Sequence, residues 1–487
     1  MLTEEQATRI ADRCREDPVW FVENVLGNSP WEKQKEILRA LKKGKDVAVA
    51  SCHAAGKSWI SARAVLWFLY CFQYSRVVTT APTFPQVKDI IWQEIKQAHA
   101  SSRQPLGGKP LDVRLELRPN WFATGRSTND ANRFQGAHSS SGHVLVVADE
   151  AAGIDPEIWV GIDGITTSEN SHRLAIGNPT ESSGEFYEMF RRPGVIKIHI
   201  SAFDTPNFTH FGITLDDIRS GEWKEKITGP LPAPYLVDPG WVAERWEKWG
   251  EDSPLWISRV LGQFPANSTD SLIPLSWIER AQRLQLEPGE PNILAADIAR
   301  YGSDDTVIGQ RRGSVARILK VTSQEDTMTT TGRIVQTLQD TGSSEVRIDG
   351  VGVGAGVYDR LIELEKPAVD MQAGRAAQNT ERFANARAEW YWGLRERFEA
   401  NDIDLDDDEE LAFQLSNIKY KPNSRGQIII ESKEDMKKRG LKSPDKADMI
   451  MMLFAVVDSE TVDVGWGTSR LTGKRKCRSN ESLRSYA

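Results

Sequence analysis

The sequence predicts an α/β protein with two sheets that are joined by a helical segment. Four continuous apolar runs alternate with helical patterns in the first part of the chain: Asp46–Ala50, Arg76–Ala81, Val144–Ala148 and Arg173–Gly177. Strands that are apolar on both faces and alternate with helices are typical of a parallel sheet buried on both sides. After residue 286 three β-rich runs follow one another across short turns, which predicts an antiparallel meander within a mixed sheet.

A chain of 487 residues is too long for one hydrophobic core, so we expect several domains. The expected boundaries are 1–205 for the first α/β domain and 206–285 for a small helical linker subdomain that is rich in Pro and Trp. Residues 286–460 would form the second α/β domain. Residues 461–487 are rich in Gly, Ser and Arg, which predicts a flexible tail.

Composition narrows the class of protein. The chain is 39% hydrophobic and 27% charged, as expected for a soluble globular enzyme, and it contains no apolar run of the roughly 20 residues that a membrane span needs. The polar start of the sequence argues against a signal peptide. The four cysteines are scattered without a CxxC pair, which argues against a disulfide frame or a zinc site and favours a reducing cytoplasm. Because the net charge is −8, any DNA contact would have to come from local basic patches.

The remaining elements follow from local patterns. Residues 1–45 predict helices, with a new helix after Ser29-Pro30, and residues 58–72 predict another. Short helices at Trp241–Trp249 and Pro254–Gly262 are expected in the linker. The strands of the second sheet are expected at Asn292–Ala299, Thr306–Arg311, Val315–Val321 and Val346–Asp349. Further helices are expected near 329–340, near 383–399 and from Ser443-Pro444, with Ser443 as the N-cap and Pro444 as the first helical residue.

A candidate phosphate-binding loop lies between a strand and a helix, in the segment Ser51-Cys52-His53-Ala54-Ala55-Gly56-Lys57-Ser58. Its backbone N–H groups and the helix N-terminus would bind phosphate oxygens. Lys57 would reach the β- and γ-phosphates, and Ser58 would bind Mg²⁺. The motif departs from the usual pattern at its first position, where Ser51 replaces Gly. A helix N-terminus with a solvated lysine is the alternative interpretation.

Two carboxylates follow the apolar strand Val144–Ala148. Asp149 suits ligation of Mg²⁺, directly or through water, and Glu150 would polarise the attacking water. Together with the loop, this pair predicts an ATP-hydrolysing site. The alternative is a pair of solvated carboxylates at the end of a strand.

Five other residues are candidates for the same site. Trp31 could stack on adenine and Gln34 could read its polar edge, although a core Trp beside a surface Gln would have the same pattern. Asn178, after the fourth strand, could sense the γ-phosphate and couple hydrolysis to motion. Arg126 or Arg133 could act as a finger that completes the site of a neighbouring subunit, although surface arginines are the default interpretation.

Four aspartates predict a second site in the C-terminal half. Two-metal hydrolysis needs carboxylates that converge on ions about 4 Å apart. Asp297 lies in the first strand of the meander, and Asp349 ends a later strand that a crossover helix would bring alongside it. Asp445 and Asp448 lie in the first turn of the last helix, where a three-residue spacing puts both on one face. Two strands and a helix start that converge in this way are the plan of an RNase H-like nuclease.

Further charged residues surround this candidate site. Asp304 and Asp305 are expected to form a turn and could assist a metal ion. A basic stretch leads to the last two aspartates and could hold a DNA backbone near the metals, unless it is only a solvated loop. It comprises Lys433, Lys437, Lys438, Arg439, Lys442 and Lys446.

These motifs, in this order and spacing, resemble the large terminase subunit of tailed double-stranded DNA bacteriophages or of a prophage. The resemblance covers nearly the whole chain. It includes Ser51–Ser58, Thr80–Val87, Arg133–Gly136 with His138, Val146–Ala151, Ala175–Pro179, Asp297–Ala299 with Gly302, Asp304–Thr306, Asp349–Gly352, Glu431–Lys433 and Ser443–Asp448.

The resemblance implies a P-loop ATPase of the ASCE type followed by an RNase H-like nuclease. Such a protein uses ATP with Mg²⁺ to pump double-stranded DNA through the portal protein into a procapsid, and it cuts concatemeric DNA with two Mg²⁺ or Mn²⁺ ions. A small terminase subunit recognises the start site. The motor subunits would form a ring, often a pentamer, when docked, and could be monomers in solution. The implied location is the cytoplasm of the infected bacterium, with transient docking on the portal and no membrane association.

One departure from the family pattern concerns arginine. Many large terminase subunits carry an Arg in the phosphate loop, whereas Cys52-His53 stand in the matching region here. Arg126 and Arg133 are therefore stronger candidates for the arginine of the ATPase site. Which of Asp445 and Asp448 binds metal directly stays open. The alternatives are a helicase-like ATPase fused to an RNase H-like nuclease in repair or recombination, and a non-catalytic scaffold. The intact set of Lys57, Asp149, Glu150, Asp297 and Asp349 argues against the scaffold.

Overall fold

Eight strands in the first part of the chain form one sheet. The computed structural model describes residues 3–126, 142–265, 271–299, 305–350 and 352–457. The strands are β1 (Asp46–Ser51), β2 (Arg76–Thr80), β3 (Lys109–Pro110), β4 (Arg114–Arg118), β5 (Trp121–Gly125), β6 (Val144–Asp149), β7 (Ser171–Gly177) and β8 (Ile196–Ile200). Their spatial order is β3-β4-β5-β2-β6-β7-β1-β8.

The six strands from β5 to β8 in this order pair in parallel, and only β3 and β4 pair antiparallel. The four strands predicted from apolar runs are β1, β2, β6 and β7, and they occupy the centre of the sheet. Because β7 lies between β1 and β6, one strand separates the strand that leads into the candidate phosphate-binding loop from the strand that ends at Asp149. The predicted parallel α/β architecture is confirmed.

Helices cover this sheet and form the segment that follows it. The first group is α1 (Glu4–Glu16), α2 (Pro18–Trp20), α3 (Glu32–Lys43), α4 (Lys57–Cys71), α5 (Trp92–Ala100), α6 (Pro156–Ile165) and α7 (Gly184–Arg191), with π-helical turns at Phe21–Leu26 and Gln86–Ile91. The second group is α8 (Pro206–Thr209), α9 (Leu215–Ser220), α10 (Trp223–Lys226), α11 (Pro239–Trp249), α12 (Pro254–Arg259) and α13 (Leu275–Arg283). The second group lies in the predicted linker, whose boundaries remain a prediction.

A second sheet is built from β9 (Asn292–Asp297), β10 (Asp305–Arg312), β11 (Val315–Ser323), β12 (Val346–Ile348) and β13 (Ala368–Asp370), in the order β11-β10-β9-β12-β13. The first three strands form the predicted antiparallel meander, whereas β9, β12 and β13 pair in parallel. The predicted mixed sheet is therefore confirmed. A separate hairpin contains β14 (Tyr420–Pro422) and β15 (Ile428–Ile430).

Six helices accompany the second sheet: α14 (Thr327–Thr341), α15 (Val353–Glu363), α16 (Ala386–Glu399), α17 (Glu409–Asn417), α18 (Lys433–Lys438) and α19 (Asp445–Phe454). The start of α19 corrects one expectation. Pro444, not Ser443, is the N-cap, because its backbone (φ −87, ψ 54) is not helical while its carbonyl already accepts the first hydrogen bond, from Asp448 N at 2.8 Å. Asp445 and Asp448 still share the first turn of the helix, as predicted.

One hydrophobic core extends through both halves of the molecule. It contains Val49 and Trp67 near the first sheet, Trp256 in α12, and Tyr391 and Ile450 in the C-terminal helices. Smaller clusters cover the other face of each sheet. Among the residues that the structure describes, no helix is both long and apolar enough to cross a membrane.

Candidate functional site

The candidate phosphate-binding loop connects β1, which ends at Ser51, to α4, which begins at Lys57. The backbone is left-handed at Ala54 (φ 49) and at Gly56 (φ 78), the N-cap of α4. A Cβ at Gly56 would lie 2.7 Å from Gln34 Nε2, so this position requires glycine both for its conformation and for space. The predicted strand–loop–helix context is confirmed.

The Lys57 ammonium group lies at the centre of this site, with 9% of its side chain exposed. Nζ donates to Asn178 Oδ1 at 3.1 Å and lies 3.6 Å from Glu150 Oε1. Asn178 is fixed in turn by its Nδ2, which donates to Ser51 O at 2.6 Å. The structure thus joins the three predicted residues Lys57, Glu150 and Asn178, which come from three different loops at the carboxyl edge of the sheet.

Ser58 and Asp149 form a second contact beside the lysine. Ser58 Oγ donates to Asp149 Oδ2 at 2.8 Å. Burial, with the charge of Glu150 added, raises the pKa of Asp149 to about 6. A hydroxyl and a carboxylate oxygen side by side are hard oxygen ligands of the kind that Mg²⁺ prefers, so these two residues fit the metal ion of a nucleotide complex.

Glu150 stands in a left-handed backbone conformation (φ 49, ψ 47) directly after β6. This conformation costs energy for a residue with a side chain, and such strain is concentrated at functional sites. Burial opposes ionisation, but the charges of Lys57 and then Arg283 outweigh it and lower the pKa of Glu150. An ionised carboxylate near Lys57 can accept a hydrogen bond from a water molecule and orient it.

A cavity of about 460 Å³ opens beside the loop, and we call it the loop cavity. Its lining includes Gln34, whose Nε2 lies 3.4 Å from Gly56 O and whose Oε1 accepts from Trp31 N at 3.2 Å. Trp31 itself lies outside the lining, partly buried against the core. The aromatic side chains that do line the loop cavity are Trp59 and Tyr235. Sequence reasoning missed both, although the position of Trp59 directly after the motif was a usable signal.

The first residues of the loop are braced by neighbouring elements. Cys52 is buried, its N–H donates to Ile200 O at 2.8 Å, and burial raises the pKa of its thiol to about 12. His53 N donates to Arg259 O at 2.8 Å, and the imidazole stacks on Trp241 with ring centroids 6.3 Å apart. Burial lowers the pKa of His53, so the imidazole is neutral near pH 7. These contacts hold the start of the loop in place and engage the N–H groups of Cys52 and His53 within the protein.

Arg126 and Arg133 were predicted as fingers for a neighbouring subunit, and that role stays a prediction because a single chain does not test it. Arg126 follows β5, two strands from β6, and its N–H donates to Thr79 O at 2.9 Å. Arg133 lies outside the residues that the structure describes. Two arginines line a cavity with Lys57 and Glu150: Arg259 of α12 and Arg283 at the end of α13. Sequence reasoning missed Arg283 because its helix has the pattern of an ordinary amphipathic surface helix.

In the C-terminal half, three of the four predicted aspartates line one cavity of about 500 Å³, which we call the carboxylate cavity. Asp297 ends β9, Asp349 directly follows β12, and Asp448 comes from the first turn of α19. Because β9 and β12 pair in parallel, their carboxyl ends meet at the same edge of the sheet. The convergence of two strand ends and a helix start is as predicted.

Lys433 lies among these carboxylates. Its Nζ is 2.8 Å from Asp448 Oδ2 and 3.9 Å from Asp297 Oδ2. Asp448 Oδ1 accepts from Tyr391 OH at 2.6 Å and from Arg387 Nη2 at 3.5 Å. Burial opposes the ionisation of Asp448, but the charges of Lys433 and Arg387 outweigh it and lower its pKa. The sequence had assigned Lys433 to a DNA-binding stretch and had not singled out Tyr391 or Arg387.

Asp297 has the opposite electrostatic environment. Burial, opposed by Lys433 but reinforced by the other aspartates, raises the pKa of Asp297 to about 8. Its buried Oδ2 has no hydrogen-bond partner among the described residues. An unsatisfied buried carboxylate oxygen beside further carboxylates fits a divalent cation. Among the described residues no group of three acidic, His or Cys side chains lies close enough to hold one ion, and the Lys433 ammonium lies within 3.9 Å of both Asp297 and Asp448.

Asp445 makes a different contact from Asp448. Its Oδ2 accepts from Asp305 N at 2.8 Å, and Asp445 is absent from the lining of the carboxylate cavity. Asp305 was predicted as a turn residue, but it is the first residue of β10, where it accepts from Ser323 Oγ of the paired strand β11 at 2.6 Å. Asp304 lies outside the described residues. This arrangement favours Asp448 over Asp445 as a direct metal ligand.

The basic stretch before α19 is partly engaged within the protein. Lys446 Nζ lies 2.6 Å from Asp408 Oδ2, Arg439 Nη2 lies 2.7 Å from Glu431 Oε2, and Lys438 Nζ lies 2.6 Å from Asp435 Oδ1. With Lys433 directed at Asp448, these side chains do not form one uniform basic surface. A role in DNA binding for the stretch as a whole remains a prediction.

Comparisons with known proteins agree with the motifs. No family model matches the chain. A probable large terminase subunit of Enterobacteria phage P7 is 26% identical over an alignment of 488 residues, which covers 90% of this chain and 93% of that protein. This similarity confirms the resemblance to large terminase subunits.

Solved structures of large terminases also match. The HK97 bacteriophage large terminase is 13% identical, with 91% of this chain and 99% of that chain covered and a TM-score of 0.39. The nuclease domain of the large terminase subunit gp2 of bacterial virus Sf6 is 22% identical, covers 39% of this chain and all of its own, and has a TM-score of 0.35. The large terminase of a thermophilic bacteriophage, in complex with ADP, is 12% identical, with 87% and 99% covered and a TM-score of 0.36.

Proposed function

We propose that this chain is a phage terminase large subunit, which drives double-stranded DNA into a procapsid by ATP hydrolysis and cuts concatemeric DNA with a metal-dependent nuclease. The observation that carries the proposal is the presence of two sites in one chain. One is the loop cavity with Lys57, Ser58, Asp149 and Glu150, and the other is the carboxylate cavity. The similarity to the phage P7 protein over nearly the full chain supports it.

In the ATPase, the loop N–H groups and Lys57 would bind the phosphates. Ser58 and Asp149 would hold Mg²⁺, which neutralises charge on the phosphates when bound. Glu150, ionised beside Lys57, would orient the attacking water. Asn178 would bind the γ-phosphate side of the site, because its amide already bridges Lys57 and the end of β1. Gln34, Trp59 and Tyr235 would surround the base.

In the nuclease, Asp297, Asp349 and Asp448 would hold one or two Mg²⁺ or Mn²⁺ ions, which polarise a phosphodiester when bound. Tyr391 and Arg387 orient the Asp448 carboxylate. Lys433 supplies positive charge at this edge of the cavity and would lie near the DNA phosphate. Asp445 would keep the β10 hairpin in position beside the site.

The implied partners are double-stranded DNA, the portal protein of the procapsid and a small terminase subunit. A ring of subunits, often a pentamer, would act when docked on the portal in the cytoplasm of an infected bacterium. A helicase-like ATPase fused to an RNase H-like nuclease has less support. The described C-terminal half contains a mixed five-stranded sheet with an acidic cavity, where a second helicase lobe would be expected.

The first experiment is digestion of supercoiled plasmid with Mg²⁺ or Mn²⁺ by the wild type and by Asp297→Ala, together with ATPase assays of the wild type and Glu150→Ala. We expect Asp297→Ala to lose cutting and keep ATP turnover, and Glu150→Ala to do the reverse. Equal cutting by both nuclease samples would place the nuclease elsewhere. Strand unwinding by the wild type would favour the helicase-like alternative.

A further inference from the structure

A second cavity beside the phosphate loop brings Arg283 to the candidate ATPase site. This cavity of about 570 Å³ shares Ala54, Lys57 and Glu150 with the loop cavity. Arg283 and Asn178 line it as well. Arg283 therefore lines the same cavity as Lys57, Glu150 and Asn178.

The guanidinium group reaches this place over the turn that follows Glu150. A Cβ at Gly153, in the 3-10 turn Ala151–Gly153, would lie 3.1 Å from Arg283 Nη1. The missing side chain at Gly153 thus makes room for Arg283.

A buried ion pair holds Arg283 in relation to the loop. Arg283 Nη2 lies 3.5 Å from Glu279 Oε2, one turn earlier on α13. Glu279 Oε1 accepts from Arg259 Nη2 at 2.9 Å, and each of these two side chains is 7% exposed. Arg259 O accepts the N–H of His53 in the loop. The arginine is thereby fixed to the same phosphate-binding loop whose ligand it would contact.

We propose that Arg283 binds the terminal phosphate of ATP in the same subunit and completes the ATPase site in cis. This inference rests on the proposed function. Phosphoryl transfer spreads negative charge over the equatorial oxygens of the transferred group, and a second cation opposite the loop lysine stabilises that charge. The phosphate loop itself contains no arginine, since Cys52 and His53 occupy the region in question. Arg283 supplies the missing guanidinium from α13.

The test is steady-state ATP hydrolysis by the wild type, Arg283→Ala, Arg283→Lys and Arg280→Ala. Loss of an arginine that stabilises the transferred phosphoryl group lowers kcat by about 10³-fold or more in related chemistry, so we expect a loss of at least about 10²-fold for Arg283→Ala. KM for ATP and the affinity for ADP should change much less, because ADP lacks the terminal phosphate. Arg283→Lys should recover part of the rate.

Arg280→Ala is the matched control. Arg280 lies on the same helix, but its Nη2 donates to Phe398 O at 3.2 Å in the C-terminal half. Its removal reports on general damage to this interface, and we expect near-normal kcat. Plasmid cutting by Arg283→Ala should be unchanged, which shows that the variant is folded. If Arg283→Ala fails to fold, Arg283→Gln, which keeps most of the side-chain volume, takes its place in the same assays.

Mixing two inactive variants separates a cis from a trans role. Glu150→Ala subunits retain Arg283, and Arg283→Ala subunits retain Glu150. An arginine that acts in cis leaves the mixture inactive, as we expect, whereas recovery of ATPase activity on mixing would overturn the assignment. An active wild type with an equally active Arg283→Ala variant would overturn only this inference. A wild type without ATPase activity would contradict the proposed function itself.

Discussion

Replacing Asp297 with Asn should stabilise the metal-free protein while it abolishes the nuclease. Burial, reinforced by the neighbouring aspartates, raises the pKa of Asp297 from an ordinary 3.8 to about 8. In the unfolded chain the carboxyl group ionises near its ordinary pKa. Above that pH, folding must therefore either take up a proton at Asp297 or bury its negative charge. A neutral amide of the same shape does not have this cost.

The sign and the pH window follow from the same two pKa values. Below pH about 4 the carboxyl group is protonated in both states and contributes no penalty. As the pH rises towards 8 the unfolded chain loses its proton while the native protein keeps it, so the penalty grows and is complete above pH 8. At 1.36 kcal/mol for each pKa unit, the limit at pH 7 is about 4 kcal/mol. Because the Asn amide must find its own partners, we expect a net gain of about 1–3 kcal/mol.

The assay is thermal unfolding of the wild type and Asp297→Asn in EDTA at several pH values. For a unit of 150–250 residues each kcal/mol corresponds to about 2–4 °C, so the transition of the C-terminal half should rise by roughly 2–12 °C at neutral pH and by less near pH 5. With Mn²⁺ the order should reverse, since only the wild type keeps this metal ligand.

Asp326→Asn is the control, because the pKa of Asp326 is lowered in the folded protein whereas that of Asp297 is raised. Asp326 is the exposed N-cap of α14, and hydrogen bonds from Thr329 lower its pKa, so the ionised form helps the fold. This variant should not gain stability at any pH. An Asp297→Asn protein that melts at or below the wild-type temperature in EDTA at neutral pH would refute the reasoning. Such a result would mean that the carboxylate is ionised and well stabilised by Lys433.

Three other predictions concern single contacts. Glu150→Gln should keep ATP binding, measured with a fluorescent nucleotide, but lower ATP turnover by at least about 10²-fold, because an amide cannot take a proton from water. Normal turnover would show that Glu150 is not a catalytic residue. Lys433→Ala should lower the melting temperature in EDTA but strengthen Mn²⁺ binding, measured by calorimetry. The reason is that the ammonium group no longer competes with the ion for Asp297 and Asp448. Weaker Mn²⁺ binding would contradict this prediction. Trp59→Ala should weaken binding of ATP and ADP equally, by about tenfold if the indole stacks on adenine, and unchanged affinity for both would exclude stacking.

The centre of each sheet could be predicted from sequence because its strands carry a strong signal. β1, β2, β6 and β7 are buried along nearly their whole length and are mostly apolar. The strands that were not predicted lie towards the edges. β4 reads Arg-Leu-Glu-Leu-Arg and β8 reads Ile-Lys-Ile-His-Ile, with one buried and one exposed face, so each has the weaker alternating pattern of a half-buried strand.

The sites divide in the same way. Lys57, Ser58, Asp149 and Glu150 could be predicted because a fixed spacing or a strand end places each one. Arg283 could not, because its partners are distant in the chain and its own helix carries no motif. Lys433 was noticed for its charge, but its position between two aspartates depends on how α18 packs against β9 and α19, which local sequence does not encode.

The segment between the two sheets does more than connect them. Arg259 of α12 binds the phosphate loop through its carbonyl group, and its guanidinium lies between Glu279 and Glu409, the first residue of α17. The residue before Glu409 is Asp408, whose carboxylate binds Lys446, between the two aspartates of α19. A short series of buried or half-buried contacts thus runs from the loop that would bind ATP to the helix that would bind the nuclease metals. Since one hydrophobic core also spans both halves, the two candidate sites share the same structural support.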